Sequence, residues 1–179
     1  MTAGGDQCHT PFGVFDLKRY PARPKEQLQA WNSADILLLE SFLALGLPAR
    51  QALVVNDEHG ALTTALQPAG LWTDSRLSAL AVDANVARNG RLPVTITWST
   101  DPPPRGLNCA VMRVPKQAAY FEYQLSLLAD ALPDGASLLA SGMDKHLSPH
   151  TAATLERCFG PTERYPGKRK ARVFHARKA

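Results

Sequence analysis

A mainly parallel α/β sheet of seven strands, closed by an antiparallel hairpin and covered by helices on both faces, is the fold this sequence predicts. The first observation is the stretch from Gln51 to Gly90, which reads as strand, tight turn, helix, strand, acidic turn and helix. That alternation within about 40 residues is the opening half of a doubly wound sheet. The second is that the alternation continues. Strands are expected near residues 51, 71, 94, 110, 137, 163 and 172, with helices between the first five and again before the last pair. The third is the end of the chain, where Thr162–Tyr165 and Ala171–Ala176 flank Pro166-Gly167 as the arms of a hairpin flank its turn.

Residues 1–10 are polar and glycine-containing and read as a frayed end. Residues 11–48 read as an extension, in which Phe12, Val14, Phe15 and Leu17, then Tyr20-Pro21, suggest one or two short edge strands. Pro24 breaks the chain before a helix predicted from about Glu26 to Leu45. Its Leu28, Trp31, Leu38, Leu39, Phe42, Leu43 and Leu45 form a wide apolar stripe, and Gly46 and Pro48 end it.

The core, residues 49–179 of what reads as a single domain, opens on Leu53, Val54 and Val55, a run suited to a strand buried on both faces. Asn56 to Gly60 then turns the chain into a helix carrying Ala61, Leu62, Ala65 and Leu66, which Pro68 stops. A second strand, Leu71–Thr73, ends at Asp74. The helix after it spaces Leu77, Leu80, Ala81, Ala84 and Ala87 along one side and closes at Gly90. Val94, Ile96 and Trp98 alternate with Thr95 and Thr97, the mark of a strand near a sheet edge. Asp101-Pro-Pro-Pro-Arg105 is a stiff loop, since three prolines exclude a regular element. Cys109–Val114 is a buried strand stopped by Pro115, and Phe121, Leu125, Leu128, Ala129 and Leu132 mark the next helix. Pro133-Asp134-Gly135 turns into the strand Ser137–Ala140. Ser148 as N-cap, with Pro149 after it, opens a last helix through Phe159 that Gly160-Pro161 ends.

Composition narrows the functional classes. The 179 residues suit one domain, with 45% hydrophobic and 20% charged residues. Cys8, Cys109 and Cys158 are odd in number and lie far apart without a C-x-x-C pair, which points to reduced thiols in the cytoplasm. No apolar run approaches the ~20 residues of a membrane span, and no secretory signal opens the chain. The net charge of +4 is concentrated at the end: residues 160–179 hold seven basic groups against one acid, whereas the other 159 hold 13 against 15. Such an end can face phosphates or be a solvated tail. The five histidines show no metal-ligand spacing, and neither a G-x-S-x-G elbow nor a phosphate loop ending in G-K-[ST] is present. Cys109 reads as a packing residue, and Asp144-Lys145 as loop surface or, at the strand end, as polar site residues.

The order of elements resembles the Rossmann-like class I S-adenosylmethionine-dependent methyltransferases. In that family the first turn holds the methionine part of the cofactor, and an acid ending the second strand holds the ribose. Asp57, Gly60 and Asp74 stand at these places. Two departures set the functional expectation. The first turn is typically D-x-G-x-G, because the cofactor lies against bare backbone. Here it is Asn56-Asp57-Glu58-His59-Gly60, with one glycine and two carboxylates expected to face a ligand that carries its own. The turn after the strand at 109–114 is N-P-P and an aromatic residue in enzymes that methylate base amino groups. Here it is Arg113-Val114-Pro115-Lys116, in which neither Arg nor Lys accepts a hydrogen bond from an amine.

Longer stretches, LQAWNSADILLLE, LVVNDEHGALTTAL, VMRVPKQAAYFEYQLSLL and GPTERYPGKRKAR, resemble the N-terminal half of two-domain bacterial ribosomal RNA guanine-N2 methyltransferases of the RsmC/RlmG type, over roughly residues 12–176. The resemblance implies a domain that has lost both motifs, aids substrate recognition and stabilises a C-terminal catalytic copy that these residues do not include. The expectation is therefore a non-catalytic methyltransferase-like domain in the cytoplasm that binds no cofactor or metal of its own. S-adenosylmethionine would serve the parent enzyme, with ribosomal RNA and the catalytic domain as partners and no membrane. Arg113, Lys116, Lys168, Arg169, Lys170 and Arg172 are the expected phosphate contacts. Two other readings stay open: an active methyltransferase with an atypical pocket built on Asp57, Gly60 and Asp74, and a purely structural domain. A nicotinamide-dependent oxidoreductase is discounted, because G-x-G-x-x-G is missing after the first core strand.

Overall fold

The computed structural model describes residues 6–179. Its centre is one seven-stranded sheet: β3 (Ala52–Val55), β4 (Gly70–Thr73), β5 (Ile96–Trp98), β6 (Cys109–Arg113), β7 (Ser137–Met143), β8 (Thr162–Arg164) and β9 (Ala171–Arg177). They lie side by side in the order β5-β4-β3-β6-β7-β9-β8. All neighbours run parallel except β9, which is antiparallel to both β7 and β8. The order reverses between β3 and β6, and at such a switch point the strand ends open a crevice.

Among the described residues five α-helices cover the sheet: α1 (Ser33–Ala44), α2 (Ala61–Leu66), α3 (Arg76–Arg88), α4 (Ala118–Ala131) and α5 (Thr151–Cys158). Strand residues alternate between two cores, as a pleat of period two requires. Val54, Val111 and Leu139 pack under α1, α2 and α3, against Leu38, Phe42, Leu62 and Val82. Leu53, Val55, Met112 and Leu138 point the other way, against Phe121, Leu125 and Leu128 of α4 and Leu155 of α5. Helices thus sit on both faces, as predicted.

Several expectations are corrected. Residues 1–5 lie outside the described residues, but Gln7–Thr10 are not frayed. They form β1, which pairs antiparallel with β2 (Gly13–Asp16) in a separate two-stranded sheet, and Cys8 is fully buried. The first helix begins at Ser33 instead of Glu26. Asn32 stops it from starting earlier: its side chain accepts a hydrogen bond from the Ala34 N–H, while Asp35 accepts from the Asn32 N–H, a reciprocal capping box. Leu28 is left 62% exposed. On α3 the buried face is Ala79, Val82 and Val86, and Leu77 points to solvent. No helix joins β5 to β6; the proline loop takes its place. The last helix starts at Thr151, three residues beyond Ser148. The terminal hairpin turns at Arg169-Lys170, both at positive φ (51° and 65°), with Lys168 and Ala171 bonded to each other across them. Two central residues at positive φ are the geometry of a type I′ turn, whose twist suits the strands it joins. Pro166-Gly167 lies upstream of it.

Candidate functional site

The crevice at the switch point is a cleft of about 680 Å³ at the carboxyl ends of β3, β4, β6 and β7. Asn56 and Glu58 of the first turn, Asp74 after β4, Arg113 at the end of β6 with Lys116 beyond it, and Lys145 after β7 are among the residues lining it. Sequence reasoning placed Asp57, Gly60 and Asp74 here as a degenerate cofactor pocket. Of the three, only Asp74 lines the cleft.

Asp57 turns inward and is 1% exposed. Its carboxylate accepts from the Gly60 N–H (3.2 Å), the Thr63 N–H (2.8 Å) and the Thr63 hydroxyl (2.7 Å). The two N–H groups are donors that the first turn of α2 would otherwise leave unsatisfied. Burial and the neighbouring Asp35 push the Asp57 carboxyl up, against the lowering effect of those donors. The expectation of two carboxylates facing the ligand is therefore corrected to one. Gly60, at φ +109°, serves packing: a Cβ there would lie 3.1 Å from the Val82 Cα, so its absence lets α2 approach α3. Asn85 of α3 seals the same spot, donating to the backbone carbonyls of Lys18 (2.8 Å) and His59 (2.7 Å).

Glu58 occupies the place where a cofactor would need bare backbone. A hydrogen bond from the His59 ring, 3.2 Å away, holds its carboxyl down at about 2; burial opposes this, and the charges of His59, Arg113 and Arg19 reinforce it. An ionised carboxylate at this position would repel the carboxylate of a methionine moiety placed against it. A group whose pKa is lower in the folded than in the unfolded state contributes stability that is complete above the unfolded value. That contribution is lost as pH falls toward the folded value. Glu58→Gln is thus expected to melt below wild type at about pH 6 and to converge with it near pH 2. An equal difference at both pH values in thermal melts would refute the ion pair.

The cleft floor is rigidly bonded. Asn56, at φ 61°, donates to the Arg113 carbonyl (3.1 Å) and to the Gln124 side-chain oxygen (2.7 Å), and Gln124 returns a bond to Asn56 (3.1 Å). Gln124 also donates to the Tyr120 hydroxyl (3.0 Å), which is bonded in turn to the Ser99 hydroxyl (2.8 Å). Reading the sequence by apolar spacing missed this network, because it runs through polar residues of α4 and of turns far apart in the chain.

Of the six expected phosphate contacts, the structure leaves four exposed. Arg113 points inward and pairs with Asp35 of α1 at 2.6 Å, both side chains largely buried. Burial works against its charge, but Asp35 more than offsets this and the pKa lies above the ordinary value. Arg172 is half-buried and donates to the Tyr165 carbonyl (2.6 Å). Lys116, Lys168, Arg169 and Lys170 are exposed, Arg169 making only a 3.3 Å surface pair with Glu40. Because β9 runs antiparallel to β7 with Met143 opposite Ala171, the hairpin tip lies at the carboxyl end of β7. It therefore shares an edge with the cleft, and Lys145, read from the sequence as loop surface, joins Lys116 there.

The two buried cysteines are not poised as nucleophiles. All three cysteines are free; burial, with Asp35 adding, pushes the Cys8 thiol up to about 12, and burial alone pushes Cys109 up to about 11. Among the described residues no group of three or more His, Cys, Asp or Glu could hold a metal ion. Nor is any helix long and apolar enough to cross a membrane.

A seven-stranded sheet in this order, with its last strand reversed and a cleft at the switch point, defines a class I S-adenosylmethionine-dependent methyltransferase fold. The T. thermophilus 16S rRNA N2 methyltransferase RsmC, solved with AdoMet and guanosine, matches with a TM-score of 0.75 at 18% identity, over 97% of this chain and 50% of that one. A ribosomal protein L11 methylase from Lactobacillus delbrueckii matches with a TM-score of 0.65 at 14% identity, over 89% and 91%. The chain belongs to the RLMG N-terminal domain family, whose model matches residues 5–179. The ribosomal RNA large subunit methyltransferase G of Alcanivorax borkumensis is 37% identical over 94% of this chain and 47% of its own length. That of Streptomyces avermitilis is 37% identical over 94% and 46%. The chain spans about half the length of these relatives.

Proposed function

We propose that this chain is a non-catalytic, RNA-contacting domain of a ribosomal RNA guanine-N2 methyltransferase. It would act in the cytoplasm beside a C-terminal catalytic domain that uses S-adenosylmethionine. The observation that carries this reading is the cleft itself: its cofactor turn is occupied by Glu58 and capped inward by Asp57, while its rim gathers exposed cations. Lys116, Lys145, Lys168, Arg169 and Lys170 suit a phosphate backbone, which is held by charge and fixes register without reading sequence. The turn Arg113-Val114-Pro115-Lys116 offers no acceptor to a base amine from either charged side chain, which argues against amino methylation here. Trp98 and Tyr123, both exposed, the latter donating to the Ser99 carbonyl at 2.7 Å, leave room for a supporting contact with a partner domain.

Two measurements test the reading. Calorimetric titration with S-adenosylmethionine and with its demethylated product should give no heat up to about millimolar ligand. Micromolar binding would overturn the proposal and favour an active enzyme with an atypical pocket. Binding of a ribosomal RNA fragment should weaken with salt, with a log–log slope of about −3 for four or five phosphate contacts. A flat salt dependence would remove the phosphate contacts.

A further inference from the structure

The cleft does not end at its own walls. It shares Asn32 and Met143 with a hollow of about 260 Å³ beside Trp31 and Arg169. On its other side it shares Glu58 and Ser78 with a second hollow of about 260 Å³ beside Arg19, Tyr20 and Leu77. The three form one groove along the carboxyl edge of the sheet, from the hairpin tip to the segment after β2. An aromatic ring stands at each station: Trp31, Tyr120 and Tyr20. A cation stands beside each: Arg169, then Lys145 and Lys116, then Arg19.

We infer that this groove holds an unpaired RNA strand of several nucleotides, bases inward and backbone outward. The inference rests on the RNA-contacting role proposed above and adds to it the form of the RNA and a path. Spaced aromatic faces with interleaved cations are what a single strand uses, because every unpaired base offers a face to stack and every phosphate a charge. A duplex keeps its bases inside and cannot use the rings. One ring and one cation of the groove are held in place beforehand. Tyr120 is fixed by Ser99 and Gln124 and lies nearly parallel to Tyr123, centroids 6.2 Å apart. Arg19 is tied by its Nε to the Gln29 carbonyl at 2.9 Å. The two acids on the groove floor, Glu58 and Asp74, repel phosphate and accept hydrogen bonds from base amino and imino groups, which orients the bases inward.

The test is fluorescence anisotropy of the whole chain with a labelled single strand of about ten nucleotides and with a hairpin duplex of the same composition. The single strand is expected to bind at least about tenfold more tightly than the duplex. Tyr20→Ala and Lys145→Gln, both at exposed positions, are each expected to weaken it about fivefold or more. Equal or tighter duplex binding would overturn the groove. So would wild-type binding of the single strand by both variants while charge reversal at Lys168, Arg169 and Lys170 still weakens it; either result leaves the RNA role standing. Binding of neither RNA by the wild-type chain would remove the RNA role and the groove with it.

Discussion

Replacing Asp35 by Ala is expected to lower the unfolding free energy by about 3–5 kcal/mol, the cost of stranding a buried charge. For a domain of this size that corresponds to a fall in melting temperature of roughly 10 °C. Asp35 is 4% exposed and does two things at once. One oxygen receives the Arg113 guanidinium at 2.6 Å; the other accepts the Asn32 N–H at 3.0 Å and closes the capping box of α1. Removing the carboxylate leaves Arg113 with its Nε already lacking a partner among the described residues. The double change Asp35→Leu with Arg113→Met is expected to recover most of the loss, because an apolar pair of similar volume carries no desolvation penalty. A loss under about 1 kcal/mol for Asp35→Ala would mean that Arg113 finds solvent instead. In that case its assignment as a phosphate contact would be restored.

Changing Lys168, Arg169 and Lys170 together to Glu is expected to weaken RNA binding at least about tenfold at moderate salt. The three side chains are exposed at the hairpin tip, and their reversal breaks only the Arg169–Glu40 surface pair, which contributes little to stability. Glu at two positions of positive φ carries some backbone strain of its own. The variant Arg169→Asn with Lys170→Gly separates the two effects, since it removes two charges while placing the residues that type I′ turns favour. It should weaken RNA binding in the same direction while leaving the melting temperature at or above wild type. Unchanged affinity of the triple variant in a gel-shift or filter-binding assay would exclude the hairpin from RNA contact.

The contrast between Arg113 and Lys116 shows how far the sequence could carry the site. One ends the strand after Val111 and the other follows in the turn, and both read as charges at the carboxyl edge. Nothing near them in the chain says that Arg113 is claimed by Asp35, 78 residues earlier. The signal that was present, Asn32-Ser33-Ala34-Asp35 as a capping box, was masked by Leu28 and Trp31, which extend an apolar spacing without forming helix. The hairpin failed in the same way. Pro166-Gly167 has the composition of a turn, but strand pairing across Lys168 and Ala171 sets the turn at Arg169-Lys170.

What the sequence by itself determined was the succession of strands and helices and the departure of two turns from the methyltransferase motifs. Those depend on periodicity and on residue identity at a turn, which are local properties of the chain. The tertiary structure alone decided which charges remain available. It buried Asp57 as a helix cap, consumed Arg113 in an ion pair, and brought Lys145 and the hairpin tip to the edge that Lys116 already occupied. Availability depends on what another part of the chain places beside a residue, and hydrogen-bond partners 57, 68 and 78 positions apart leave no local trace.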